Sequence, residues 1–275
     1  MRSAVRITVL TAILAVVLYP LFWMIGSSFK SPTEISLADN AGLIPQEFTP
    51  SNYVDGWSSL GEPFTTFFLN SFLLSGLTVI GNVLSCLLAA FAFSRLRFRG
   101  RGVFFAIMIG TLLLPGHVLV IPQYVLFRWL DWTGTFAPLV VPHFLATEAF
   151  FVFLMVQFMR GIPRELDEAA RIDGCGPYQT FYRVILPLSK PAIVTTSIFS
   201  FIWTWNEFFR PLVYLSDTTE WTVSVALRQF IDSAGQSAVG PMFAMSVLSL
   251  IPVLLFFLFF QRLLVEGINT SGIKG

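Results

Sequence analysis

Residues 160–190 read RGIPRELDEAARIDGCGPYQTFYRVILPLSK, a polar and basic passage set between two strongly apolar stretches. Its punctuation predicts two short helices. Pro163 suits a first helical position, and Glu165, Asp167 and Glu168 in the opening turn meet the positive end of the helix dipole. Gly174 is a natural stop. Pro177 opens a second helix in which Tyr178, Phe181, Tyr182 and Ile185 recur at i, i+3, i+4 and i+7, a single apolar face, and Pro187 and Pro191 close it.

Outward from this passage the chain is built for lipid. Of its 275 residues 55% are hydrophobic and 12% charged, against about 25% charged in soluble domains. Residues 7–29, 65–94, 102–127 and 233–261 contain no Asp, Glu, Lys or Arg, and 132–159 and 191–209 contain one acid each, Glu148 and Glu207. A membrane helix needs about 20 apolar residues. The fold class expected is therefore all-α integral membrane, one transmembrane domain over 1–275. Its spans are placed at about 7–29, 66–94, 103–127, 136–159, 191–213 and 241–262, with 160–190 as a cytoplasmic loop.

Charge sets the orientation, because Lys and Arg stay on the cytoplasmic side of span ends. All but four of the 17 basic residues fall on the amino-terminal side of the membrane; Lys30, Arg128, Arg210 and Arg228 are the exceptions. Both termini are thus expected in the cytoplasm. Arg2 and Arg6 ahead of an apolar run resemble a signal peptide, but the run is too long and lacks a clear cleavage site, so it reads as a retained anchor. Cys86 falls inside a span and Cys175 in the cytoplasmic loop, which supports neither a disulfide nor a metal site.

The run Glu168-Ala169-Ala170, with Gly174 four residues later and then Val184-Ile185-Leu186-Pro187, resembles the EAA motif of permeases in ATP-binding-cassette importers. The usual pattern has isoleucine where Val184 stands, a conservative departure. Further matches resemble the carbohydrate-uptake subfamily, in particular the second permease of maltose-type systems. They are Ser28-Phe29-Lys30, Asn52-Tyr53, Asn70-Ser71, Ala89-Ala90-Phe91-Ala92, Trp205-Asn206-Glu207-Phe208, and the tail from Gln261-Arg262 to Gly272-Ile273-Lys274-Gly275.

The resemblance implies a type I importer permease fold in a bacterial inner membrane. Residues 160–190 would hold the coupling helix that seats in the ATPase. Glu165, Glu168, Ala169, Ala170, Asp173, Gly174, Tyr178, Phe181, Val184, Pro187 and the tail residue Lys274 are the expected ATPase-coupling residues. The implied partners are a homologous permease making a heterodimer, a P-loop ATPase dimer, an extracytoplasmic solute-binding protein and membrane lipid, with no nucleic acid. The chain has no GxxxxGK[ST] run, its three lysines being Lys30, Lys190 and Lys274, so ATP and Mg belong to the partner ATPase and the chain binds no cofactor.

Polar residues inside the spans are the candidates for a solute pathway. An ionisable group in mid-bilayer costs roughly 2.5 to 3.5 kcal/mol on insertion scales. Glu148, near the middle of the fourth span, and Glu207 with Asn206, Trp203 and Trp205, near the outer end of the fifth, are named on that ground; bundle packing and an aromatic belt are the plainer readings. His117, Gln123 and Tyr124 lie beside Pro115 and Pro122 and serve either a cavity or carbonyls freed by those prolines, as does His143 beside Pro142. Pro115 and Pro122 are expected to kink the third span. With Arg210 counted to the outer side, no Lys or Arg is assigned to the pathway, which favours a neutral di- or oligosaccharide over a glycerol-phosphate-type solute. A secondary transporter is the alternative from another class, but no internal repeat is evident. A membrane enzyme would need clustered catalytic groups that are absent.

Overall fold

The computed structural model describes residues 2–36, 42–233 and 238–271, with side chains at 5–35, 42–231 and 238–261. Among them every regular element is helical. Four stretches are long and apolar enough to cross a membrane: Val5–Ser27, Phe64–Arg95, Ala137–Gly161 and Val239–Gln261. Two bent pairs, Arg101–Thr111 with Gly116–Trp129 and Pro177–Leu188 with Lys190–Asn206, bring the number to six if each pair is one crossing. Contacts divide the chain into two compact units, Met1–Leu69 with Trp221–Pro252, and Asn70–Glu220 with Val253–Gly275.

The first unit begins with α1 (Arg2–Ser27), followed by α2 (Pro32–Ser36) and α3 (Ser51–Ser58). Backbone without lipid-side secondary structure must find its own partners. The buried Asn52 amide supplies them, donating to the carbonyls of Ser28 and Lys30 at 2.9 Å each. Ser28 Oγ lies 2.9 Å from the Tyr53 hydroxyl, and Phe29 packs on Tyr53 and Phe48. The two motifs that the sequence places more than twenty residues apart are thus the halves of one knot. Glu34 closes it, accepting from the Gln46 N–H at 2.9 Å. Glycine is required against this knot: a Cβ on Gly26 would strike the Leu43 carbonyl, and one on Gly240 would lie 2.6 Å from Asn52 Oδ1.

In the second unit, α4 (Phe64–Arg95, of which Asn70 onward belongs here) leads to α5 (Arg101–Thr111) and α6 (Gly116–Trp129). The kink expected in the third span is a full break, α5 and α6 meeting at 104°. Pro115 causes it by excluding the preceding residue from helical geometry. Pro122, inside α6, leaves that helix continuous.

The fourth span is also segmented. α7 (Ala137–Val140) passes into a 3-10 turn (Val141–Leu145), Ala146 turns left-handed at φ +55°, and α8 (Ala149–Gly161) begins after Glu148. Gly81 and Ser85 on α4 admit this segment: a Cβ on Gly81 would sit 2.8 Å from the Phe144 ring, and Ser85 Oγ donates to the His143 carbonyl at 2.7 Å.

Beyond α8 come α9 (Glu165–Ile172), α10 (Pro177–Thr180), a π turn (Phe181–Ile185) and α11 (Leu186–Leu188), then α12 (Lys190–Asn206) and α13 (Phe209–Tyr214). Pro191 opens α12 instead of closing the preceding helix, since the first turn has no use for the missing N–H. A 3-10 turn (Thr218–Glu220) ends this unit's main segment; α14 (Val223–Ser233) belongs to the first unit, and α15 (Val239–Ser271) runs through the second point of division. The core of the second unit packs Cys86, Leu87, Ala90 and Phe91 of α4 against Phe151, Val152, Met155, Val156 and Met159 of α8, with Ile185 and Ala192. Both cysteines are free thiols.

Candidate functional site: a cavity and a helical hairpin

The breaks in the third, fourth and fifth spans surround a cavity of about 760 Å³ in the second unit. Of the pathway candidates read from sequence, Glu148, Glu207, Trp203, Gln123 and His143 line it. Glu148 stands at the start of α8, at the break and not within a helix, yet its side chain caps nothing. Its Oε1 is 3.7 Å from His143 Nδ1, beyond hydrogen-bond range. Glu207, in the gap between α12 and α13, accepts the backbone N–H groups of Phe209 at 3.0 Å and Arg210 at 3.3 Å.

The other four lie off the cavity lining. Trp203 and Trp205 are two residues apart on one helix and so point to different sides: Trp203 is 47% exposed and stacks on Phe151, whereas Trp205 is 3% exposed, against Phe72 and Phe201. Asn206 turns its amide back to the Ile202 carbonyl at 2.7 Å. His117 meets Phe209 edge-on, and Tyr124 stacks with Tyr214.

Three lining residues escape a reading based on charge inside spans. Buried Asn82 of α4 donates through Nδ2 to Ser200 Oγ of α12 at 2.9 Å, and its Oδ1 lies 3.1 Å from His143 Nδ1. With the amide nitrogen committed to Ser200, Oδ1 faces the ring and Nδ1 carries the hydrogen. A buried polar network thus joins α4, the 3-10 turn and α12. The third residue is Arg210. Counted to the outer side at the end of the fifth span, it stands in the cavity wall because the chain breaks at Glu207 and resumes as α13. The premise that no basic residue reaches this region is therefore overturned. An amide in an apolar run, as at Asn82, was the available signal, because polar side chains inside membrane bundles find partners across helices.

At the other end of the unit, the 160–190 hairpin is fixed to the membrane helices. Arg95, the last residue of α4, donates through Nη2 to the carbonyls of Met159 at 2.7 Å and Ile162 at 2.8 Å, while its Nη1 lies 2.9 Å from Asp167 Oδ2 of α9. Gly174, at φ +81°, ends α9, and the Cys175 N–H closes back on the Ala170 carbonyl at 2.8 Å. Left-handed geometry at that position favours glycine.

The apolar face expected on the second helix is divided by the π turn. Phe181 packs on Phe91 at 4.9 Å, Val184 lies partly buried on the core and Ile185 is fully buried. Tyr178, 88% exposed, and Tyr182 turn outward, joined by Ile172 at 87%. Glu165, Glu168, Ala169, Asp173, Gly174 and Pro187 are exposed and Ala170 is buried. Lys274 lies outside the described residues.

Segmented apolar helices around a cavity lined by a few polar groups, with a short helical hairpin packed against them, are the architecture of a multi-pass membrane protein. Residues 81–270 match the family of binding-protein-dependent transport system inner membrane components, and the chain belongs to that family. It is similar to the trehalose/maltose transport system permease protein MalG of Thermococcus litoralis, 32% identical with 94% of this chain and 92% of that protein covered. It is also similar to the arabinooligosaccharides transport system permease protein AraQ of Halalkalibacterium halodurans, 30% identical over 94% and 92%. Among solved structures, a bacterial ABC transporter involved in the import of the acidic polysaccharide alginate matches with a TM-score of 0.82 and 25% identity, covering 94% of this chain and 95% of that one.

Proposed function

We propose that the whole chain, 1–275, acts as one permease domain, half of a heterodimeric pathway that carries a di- or oligosaccharide inward across a cell's inner membrane with both termini in the cytoplasm. The observation that carries this reading is the attachment of the hairpin to the membrane helices. Arg95 ties α9 to α4 and to the end of α8 at once, so displacement of α9 moves the walls of the cavity above it. The ATPase dimer would press on this hairpin through its exposed residues, Ile172, Tyr178 and Tyr182 with Glu165, Glu168, Ala169 and Asp173. ATP and Mg would act on that partner, and this chain would hold no cofactor.

The name of the matched family supports delivery by a solute-binding protein. The sugar named in the relatives above supports a carbohydrate, MalG and AraQ both being permeases for oligosaccharides or disaccharides by name. Arg210 in the cavity wall keeps an anionic, glycerol-phosphate-type solute as the second reading.

The test is purification of this chain from its native membrane in mild detergent, with mass spectrometry and an ATPase assay on the product. A second permease and a P-loop ATPase recovered together, with hydrolysis raised by loaded binding protein, is the expected result. Recovery of this chain alone, transporting without nucleotide, would make it a secondary carrier.

A further inference from the structure

We infer that Arg210 and Glu148 form a donor and acceptor pair that takes the hydroxyls of an uncharged oligosaccharide in the cavity, and that with Glu207 they discriminate against acidic solutes. The inference rests on the permease reading above and names its substrate class.

Both side chains line the same cavity. Neither consumes the other: among the described residues Arg210 makes no ion pair within 4.0 Å, and Glu148 has only the long approach to His143. Charged groups at membrane depth face a bundle interior or a water-filled cavity and serve as partners or as working groups. A guanidinium presents five donors in a fixed fork, and an ionised carboxylate accepts only. A sugar hydroxyl does both, so a row of hydroxyls satisfies the two without bringing a charge of its own. Trp203, partly exposed on the lining, adds an apolar plane suited to the C–H face of a pyranose.

The sign of the wall separates neutral from acidic solutes. Glu207 spends one carboxylate oxygen on the N–H groups of Phe209 and Arg210. Lining the cavity are then two carboxylates, Glu148 and Glu207, against the one guanidinium of Arg210. A uronate or phosphate would meet that excess in a low-dielectric setting, where like charges repel strongly.

The experiment uses the assembled complex in lipid nanodiscs without binding protein. Saturation-transfer NMR is recorded on a mixture of maltotriose, arabinotriose, trigalacturonate and glycerol 3-phosphate. Transfer to a neutral trisaccharide and none to the two anions is expected. Glu148→Gln should reduce the neutral signal about fivefold or more, as expected for loss of a charged hydrogen-bond acceptor, and admit trigalacturonate. Arg210→Gln should reduce the neutral signal to a similar degree. Stronger transfer to either anion in the unmodified complex, none to either trisaccharide, or an unchanged profile in both variants would overturn the inference. Gel filtration with the ATPase partner controls for misfolding, and the unmodified profile is decisive if a variant does not assemble. A complex that assembles and hydrolyses ATP while failing these criteria leaves the permease reading intact; a chain that never recovers an ATPase removes both.

Discussion

Arg95 Nη1 lies 2.9 Å from Asp167 Oδ2, joining the carboxyl-terminal end of α4 to the first turn of α9. The pair is buried, with 5% and 13% of the two side chains exposed, so its members are out of water, and Arg95 is held besides by the Met159 and Ile162 carbonyls.

Removing one member leaves the other charged and unpaired, which typically costs about 3 to 5 kcal/mol in buried pairs. Asp167→Ala should therefore lower the thermal midpoint of the detergent-solubilised complex and loosen transport from ATP hydrolysis. Exchange of the two residues should not rescue it, because aspartate at position 95 cannot donate to the Met159 and Ile162 carbonyls. A differential scanning fluorimetry series on the single and exchanged variants decides this. Full recovery in the exchange would show that the ion pair alone matters.

Tyr178 is 88% exposed, so Tyr178→Ala should leave insertion and yield unchanged. Recovery of the ATPase partner should fall about tenfold, the loss expected when an aromatic anchor leaves an interface. Glu168→Lys, also at an exposed position, should uncouple transport in the same way. Normal transport by Glu168→Lys would remove α9 from the coupling surface.

Asn82→Leu strands the Ser200 hydroxyl and the Nδ1–H of His143 together. Each buried polar group left without a partner costs about 1 to 3 kcal/mol. A lower melting temperature is expected, with a larger change in hydrogen exchange at the Val141–Leu145 turn than at α9. Equal changes at both would mean global loosening, not loss of a local clamp.

Gly240→Ala places a methyl group against Asn52, the residue that satisfies the Ser28 and Lys30 carbonyls. Overpacking of this kind costs about 1 to 3 kcal/mol. Limited proteolysis of the Phe29–Thr49 segment should speed up, whereas ATPase recovery should not change.

The spans and the hairpin were legible in the sequence because each rests on a property of consecutive residues: absence of charge, or helix start and stop signals. The cavity was legible only in part, because it depends on which way a residue faces after a break. Glu148 and Glu207 announce themselves by charge in apolar runs. Trp203 and Trp205 carry the same signal, and only packing against Phe72 and Phe201 separates them. Arg210 was missed for a different reason: counting it outside assumes a straight fifth span, and the chain breaks at Glu207. Pro115 and Pro122 look alike in sequence, yet the first stands at the break between two helices and the second is absorbed within one.

The π turn at Phe181–Ile185 carries one residue more than an α-helical turn would hold. In an α-helix each residue advances the direction of its side chain by about 100°. The wide turn takes its extra residue within nearly the same rotation, so deleting one residue between Thr180 and Leu186 would return the segment to ordinary periodicity with Tyr178 in nearly its present direction, whereas adding one would turn it by that angle. The stretch thus holds one residue of slack: a single deletion there is absorbed, whereas an insertion would misalign an otherwise intact contact surface.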